Sequence, residues 1–382
     1  MIKKGILISF GELFLKSESV RDIFIRRLVN NLCFCFKKEN IDFKTHFLRA
    51  RIFIETEDKK AKKIIKNIFG ISRIYDCFYS LEGDLDSLFS FVKNNYPSWL
   101  KEKETFSLRI KAEDKKIKAK KEQIIDEIAY LIKRKVNLSN PKKEIFIEFR
   151  NKGWLVYFGK EKGLGGLPVG SSGKVLVLSS GGIDSPVASY LMAKRGAENI
   201  WIHFHSFPLV SNKSIDKVKE LANNFLKFQP RLKVYFAPFS SAQVEIKTKS
   251  QSEYRVLLYR RLMLKIAEKI LKKEGCKAFV TGESLGQVSS QTLENLNITE
   301  DAVKSLILRP LIGMDKEEII EISKKIGAYD ISIKPQEDCC TLFVSKGQTA
   351  SGDIKKAKEF EKKLNLNKIV KECLKGIEIK QF

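Results

Sequence analysis

The chain has 382 residues, enough for two or three domains that each bury a core of their own. Its 71 Lys and Arg outnumber 46 Asp and Glu to give a net charge of +25, which fits a polyanionic partner, because phosphate neutralisation supplies most sequence-independent affinity for nucleic acid. No apolar run is long enough to span a bilayer and no signal segment opens the chain, so it reads as a cytoplasmic protein with no membrane role. Seven Cys at irregular spacing exclude a disulfide framework.

Residues 1–78 read as strand, helix, strand, strand, helix, strand, the ferredoxin-like order. Phe24, Leu28 and Leu32 fall at helical spacing between about residues 19 and 36, and Ile64, Ile65 and Ile68 do so after Asp58. Cys33 and Cys35 lie two apart on the first helix and point away from each other, so they fill space rather than bind metal. A second α+β unit covers residues 79–162, with helices near Leu85–Phe91 and residues 122–136 and strands near 105–110, 144–150 and 154–158. Within it Lys111, Lys115, Lys116, Lys118, Lys120 and Lys121 crowd together. Such a run tracks a phosphate backbone or simply forms a solvated face.

Residues 163–173 are dense in Gly and Ser and read as a linker. They imitate two phosphate-binding fingerprints without matching either, because Pro168 stands where each needs a glycine. From residue 174 to 382 the pattern becomes strand–helix alternation, which implies an α/β, doubly wound parallel sheet. Lys174–Leu178 is a short Val- and Leu-rich run suited to burial on both faces, and Asp184 and Ser185 read as caps of a helix that Gly196 stops. The turn between them is Ser180-Gly181-Gly182. Two residues without a Cβ bring backbone N–H groups close to an anion at a helix N-terminus, so phosphate is expected there. Asp315 and Glu318 are spaced as a capping box for a later helix that ends at Gly327, and after Ala350 only a helical tail is expected.

S-G-G-I-D-S between strand and helix resembles the pyrophosphatase-loop (PP-loop) family, whose members split ATP into AMP and pyrophosphate to adenylate a poor leaving group. The segments 163–175, 180–196, His203-Phe204-His205-Ser206, Thr281 to Gln291, Arg309-Pro310-Leu311 and Glu337-Asp338-Cys339-Cys340, with G-E-L-F-L-K-S near the start, are similar to the tRNA uridine 4-sulfurtransferase (4-thiouridine synthetase, ThiI) family over essentially the whole chain. The resemblance implies a ferredoxin-like domain, a THUMP domain that docks the acceptor end of tRNA, and a PP-loop domain that adenylates O4 of the uridine at position 8 so that sulfur can replace it.

Carried over residue by residue, it implies nucleotide contacts at Leu178, Ser179, Ser180, Gly181, Gly182, Ser185, His203, Phe204, Arg260, Gly282 and Gln291. It implies a loop- or Mg²⁺-orienting role for Asp184 and a sulfur-carrying role for Cys339, with Cys340 its neighbour. The implied cofactors are ATP and Mg²⁺, and the implied partners are tRNA and a second copy of the chain. Long family members, to which a thiamine-thiazole sulfur role is assigned, continue into a rhodanese domain that this sequence does not show. Sulfur would then come from a cysteine desulfurase or another persulfide carrier, passing through Cys339 itself, Cys340 or Cys276.

Read without the resemblance, Arg260 and Arg261 look like a wet helix face. His203 and His205 share a strand face with no third ligand in view, so no metal centre is expected. Two alternatives remain: a PP-loop enzyme thiolating another base position, and an RNA-binding protein whose nucleotide site is vestigial.

Overall fold

The computed structural model describes residues 2–12, 17–48, 50–113, 115–150, 153–335, 342–343 and 348–382, with only the backbone of Lys116. The chain divides into two compact units, Met1–Gly166 and Leu167–Phe382.

The first unit opens with β1 (Ile2–Phe10), α1 (Glu18–Lys38), β2 (Lys44–Leu48), β3 (Arg51–Glu55), α2 (Lys59–Ile65) and β4 (Ile71–Ser80). It continues with α3 (Leu85–Trp99), β5 (Phe106–Ala112), α4 (Lys115–Ala119), α5 (Lys121–Leu131), β6 (Lys143–Arg150) and β7 (Gly153–Lys162). The two halves expected from sequence share one seven-stranded sheet of order β2-β3-β1-β4-β7-β6-β5, joined where β4 pairs antiparallel with β7. Arg51 on β3 reaches across that sheet to Glu148 on β6 at 2.7 Å and to the Tyr157 hydroxyl on β7 at 2.8 Å. Helix α5 ends at Leu131, earlier than the pattern to 136 suggests, because Ile132 leaves helical backbone and Val136 bridges Phe106 in an extended conformation instead.

The second unit runs β8 (Lys174–Leu178), α6 (Asp184–Lys194), β9 (Glu198–His205), α7 (Lys213–Phe225), β10 (Lys233–Pro238), α8 (Ser240–Lys249) and α9 (Arg255–Glu274). There follow β11 (Ala278–Val280), α10 (Leu293–Glu300), β12 (Leu306–Leu308), α11 (Lys316–Lys325), α12 (Tyr329–Ser332), α13 (Ile354–Lys362), α14 (Leu366–Lys375) and β13 (Glu378–Gln381). The sheet order is β12-β11-β8-β9-β10-β13. Its first five strands are parallel. The strand order reverses at β8, so a crevice opens beyond its carboxyl end, where open α/β sheets bind ligands. Val175, Leu176 and Val177 are buried, as a strand covered on both faces requires.

Three expectations are corrected. Asp184 and Ser185 do not cap α6: Ile183 holds the cap position and no side chain satisfies the first turn. The Asp184 carboxylate is instead drawn to Lys316 and Gln287. The tail after Ala350 is not wholly helical, because β13 pairs antiparallel with β10, and Leu232 and Phe382 exchange backbone hydrogen bonds at 2.9 and 3.2 Å. All four β13 residues are exposed, so backbone pairing rather than side-chain burial makes this strand and leaves no apolar period to read. Arg261 is not on a wet face; it is 1% exposed. The capping box of Asp315 and Glu318 is present, and Gly327 follows α11 with φ +64°. Among the described residues no helix is long and apolar enough to cross a membrane.

Candidate nucleotide site

Strand β8 delivers the chain to the turn at Ser179–Ile183, and Gly181 supplies the φ of +80° that this turn needs. The Ser179 N–H donates to the Ile202 carbonyl at 2.8 Å, and the Ser179 carbonyl accepts from His203 Nδ1 at 2.8 Å. With Nδ1–H so committed, Nε2 of a neutral ring is left to accept from Ser214 Oγ at 3.2 Å. Burial pushes the His203 pKa down to about 4, so the ring is neutral at physiological pH. His203 is thus a brace behind the loop, fixing a carbonyl.

In front of the loop lies a cavity of about 300 Å³. Leu178, Ser179, Ser180, Asp184, Ser185, Phe204, Arg260, Gly282 and Gln291 line it, which brings together nine residues singled out from sequence. Gly181 and Gly182 form the turn itself, where Gly182 N–H donates to Ser180 Oγ at 3.3 Å. Ser179 Oγ, Ser185 Oγ and Gln291 Oε1 are buried with no hydrogen-bond partner among the described residues. Buried polar atoms of this kind cost free energy unless a ligand or water pairs them, so the wall is suited to a polar ligand. Gly282 lets the exit of β11 press against the first turn of α6: a Cβ there would stand 2.9 Å from the Asp184 carbonyl carbon and 3.0 Å from the Ser185 nitrogen.

The structure adds residues to which no role had been given. Glu283 accepts from Arg260 Nη1 at 2.7 Å on one carboxylate oxygen. On the other it accepts from Arg309 Nε at 2.8 Å and Thr281 Oγ1 at 2.9 Å. Lys316 Nζ lies 2.6 Å from Asp184 Oδ1, and Gln287 Nε2 lies 3.3 Å from Oδ2. Sequence offered two signals for these, the polar Thr281–Gln291 stretch straight after an apolar strand and the Arg309-Pro310-Leu311 segment; Lys316, one residue past the helix cap, looked like ordinary helix surface.

Cys339 and Cys340 lie outside the described residues. Cys276 is buried at the opposite, amino-terminal end of β11, and burial pushes its pKa up to about 11, so it is unsuited to pass sulfur to this cavity. Lys111, Lys115, Lys118, Lys120 and Lys121 are exposed around the end of β5, α4 and the start of α5, in the first unit. Among the described residues no group of three or more His, Cys, Asp or Glu is placed to hold a metal.

A Ser-Gly-Gly turn between the central strand of a parallel sheet and a buried helix, opening onto a polar cavity, defines a PP-loop nucleotide-binding α/β enzyme. Family models agree: "Thiamine biosynthesis protein (ThiI)" matches residues 170–366, the ThiI ferredoxin-like domain residues 5–74 and the THUMP domain residues 82–158. The chain is similar to a probable tRNA sulfurtransferase of Caldanaerobacter subterraneus subsp. tengcongensis, 37% identical over 97% of each chain. It is also 38% identical to one of Lysinibacillus sphaericus, over 100% of this chain and 96% of the other. A crystal structure of a 4-thiouridine synthetase–RNA complex with bound ATP matches with TM-score 0.90 and 30% identity over 100% of both chains. PH1313 of Pyrococcus horikoshii shares the fold at TM-score 0.65 and 24% identity, over 85% of this chain and 99% of the other. The chain belongs to the ThiI tRNA sulfurtransferase family.

Proposed function

We propose that this protein is an ATP-dependent tRNA sulfurtransferase that converts the uridine at position 8 to 4-thiouridine. Uracil O4 is a poor leaving group, and attack of O4 on the α-phosphorus of ATP, with loss of pyrophosphate, makes it a good one. The Ser180–Gly182 turn and the first turn of α6 would hold the phosphates with backbone N–H groups and the helix dipole. Leu178 and Phe204, at the ends of β8 and β9, would face the base, while Arg260, Gln291 and the Ser179 and Ser185 hydroxyls supply polar contacts. Asp184, held by Lys316 and Gln287, fits Mg²⁺, which binds through one or two carboxylates plus substrate phosphates; when bound, the ion would neutralise phosphate charge. The outer sulfur of a persulfide on Cys339 would then attack C4 and displace AMP, leaving the base disulfide-linked to Cys339, and attack by a second thiol or an external thiol reductant on that S–S bond would release 4-thiouridine with formation of a new disulfide.

The observation that supports this reading most directly is the cavity at the carboxyl ends of the strands, where partnerless buried hydroxyls meet the Ser-Gly-Gly turn. The ferredoxin-like and THUMP regions, 1–78 and 79–162, would dock tRNA, and a cysteine desulfurase or similar persulfide carrier would donate sulfur to a homodimer. The test is mass spectrometry of nucleosides from tRNA incubated with ATP, Mg²⁺, L-cysteine, a cysteine desulfurase, a thiol reductant and the protein. 4-Thiouridine is expected with the wild-type chain and none with Cys339→Ser, which should still adenylate the base and release pyrophosphate. A 2-thiolated base, or unmodified tRNA throughout, refutes the assignment.

A further inference from the structure

The chain that leaves the Cys339-Cys340 pair is held by its backbone. Arg255, at the start of α9, donates from Nη1 to the Phe343 carbonyl at 2.6 Å and from Nη2 to the Lys247 carbonyl of α8 at 3.2 Å. One turn further along α9, the Tyr259 hydroxyl donates to the Leu342 carbonyl at 3.1 Å. Lys247 Nζ stands 4.2 Å from the centre of the Phe343 ring. Leu342 and Phe343 are only half-buried, so burial does little of the holding. Phe343 also takes φ +61°, a left-handed backbone that a bulky residue keeps only where its surroundings fix it.

A second clamp lies a few residues further on. Asn295 of α10, 0% exposed, donates from Nδ2 to the Ser289 carbonyl at 2.6 Å and the Thr349 carbonyl at 2.9 Å, and its Oδ1 accepts from the Gly352 N–H at 3.1 Å. Thr292 Oγ1 donates to the Ala350 carbonyl at 2.7 Å. Both anchors belong to elements that build the nucleotide cavity. Arg260, which lines it, follows Tyr259 on α9, and Gln291, which also lines it, ends the short turn that Ser289 opens. Cys339 stands three residues before Leu342, so the chain alone keeps their Cα atoms within about 11 Å. Among the described residues, Arg255 and Tyr259 thus grip the chain at the points nearest in sequence to the sulfur-bearing pair.

We propose that Arg255 and Tyr259 are positioning residues for sulfur transfer: by fixing the Phe343 and Leu342 carbonyls beside the cavity wall, they set the approach of the persulfide on Cys339 to C4 of the adenylated base. This rests on the reading given above, in which Cys339 carries the sulfur. Attack needs the reacting atoms near contact distance and aligned, and a displacement of about 1 Å can cost roughly 100-fold in rate. Adenylation makes no such demand on residues 342–343, because in that reading the phosphates are held by the turn after β8. Cutting the anchor should therefore separate the two steps.

The test follows pyrophosphate release and 4-thiouridine formation in one reaction, with the full chain in excess over tRNA and with ATP, Mg²⁺, L-cysteine, a cysteine desulfurase and a thiol reductant. It compares wild type, Arg255→Met, Arg255→Lys and Tyr259→Phe, each with a thermal melt. Thiolation should slow by about 10- to 100-fold in Arg255→Met, which loses a charge-assisted contact, and by about 3- to 10-fold in Tyr259→Phe, which loses a neutral one. Pyrophosphate release should stay within about threefold of wild type, so adenylated tRNA builds up ahead of thiolated product. Arg255→Lys, which keeps a charge but not the fork that reaches two carbonyls, should fall between wild type and Arg255→Met. If Arg255→Met melts out, Tyr259→Phe carries the test, because it removes a single oxygen atom. Parallel slowing of both steps, or slowing of neither, overturns the assignment. A Cys339→Ser chain that still thiolates would instead overturn the underlying reading.

Discussion

His203 carries a lesson in what a residue type alone can say. The family resemblance implied a nucleotide contact at His203; its ring is 2% exposed and spends both nitrogens inside the protein, on the Ser179 carbonyl and Ser214 Oγ, so the side chain itself braces the loop from behind. Because burial holds its pKa near 4 against 6.5 in the unfolded chain, the unfolded state binds the extra proton. The stabilisation is therefore complete above about pH 6.5 and is lost as pH falls from there toward 4, by up to roughly 3 kcal/mol. His205 is pushed down by burial as well and adds to the trend in the same sense. Urea unfolding of His203→Gln should show lower stability at pH 7 and a shallower fall between pH 6.5 and 5 than wild type; an unchanged pH slope would show that this ring is not the group responsible. The residues that face the cavity were legible where glycine or a loop serine announced a phosphate turn. Glu283, Arg309 and Lys316 were not, because a charged side chain near a helix start or strand end reads as solvated surface until the fold brings its counterion from 26 or 132 residues away.

At the scale of elements, the strongly periodic helices and the β8 strand could be read directly, since burial imposes a period. The element least legible in the chain, β13, is held by backbone pairing with β10, whereas α13 and α14, expected as a helical tail, bury Ala357, Ile369 and Cys373 in the core of the second unit. Helix α13 is anchored to α9 through Glu361, 7% exposed, which meets Arg261 Nη2 at 2.8 Å and Lys265 Nζ at 3.1 Å. Arg261 also donates to Asp301 at 3.0 Å and to the Ile298 carbonyl, so one fully buried cation holds α10 and α13 against the long central helix. Removing Glu361 leaves the buried Arg261 with Asp301 as its remaining counter-charge and strips Nη2 of its partner. Glu361→Ala should thus destabilise the protein by about 1–3 kcal/mol in denaturant titration. Glu361→Ala combined with Arg261→Met should recover part of that loss, since the second change removes the donor left unpaired. A single-variant cost below about 1 kcal/mol would place this contact with ordinary surface pairs.

For the molecule as a whole, the excess of +25 acts before any specific contact does, because it draws a polyanion toward the protein and makes its binding sensitive to salt. Charge of one sign does not by itself say where RNA lies, and from sequence the lysines of residues 111–121 served a solvated face as well as an RNA track. The fold places Lys111, Lys115, Lys118, Lys120 and Lys121 all exposed along the end of β5, α4 and the start of α5, as both readings require. None of Lys111, Lys115 and Lys118 is engaged by an ion pair among the described residues, which leaves their ammonium groups available to phosphates. If they contact tRNA, replacing these three by Gln should raise the tRNA dissociation constant by about 10-fold or more near 0.15 M salt. It should also lower the slope of log affinity against log salt by about 2 to 3, close to one for each phosphate that is no longer neutralised. ATP affinity, which depends on groups of the second unit, should be unchanged. Filter binding over a salt series reads both quantities, and a weaker complex with an unaltered salt slope would mean that these lysines act through the fold rather than on the phosphates.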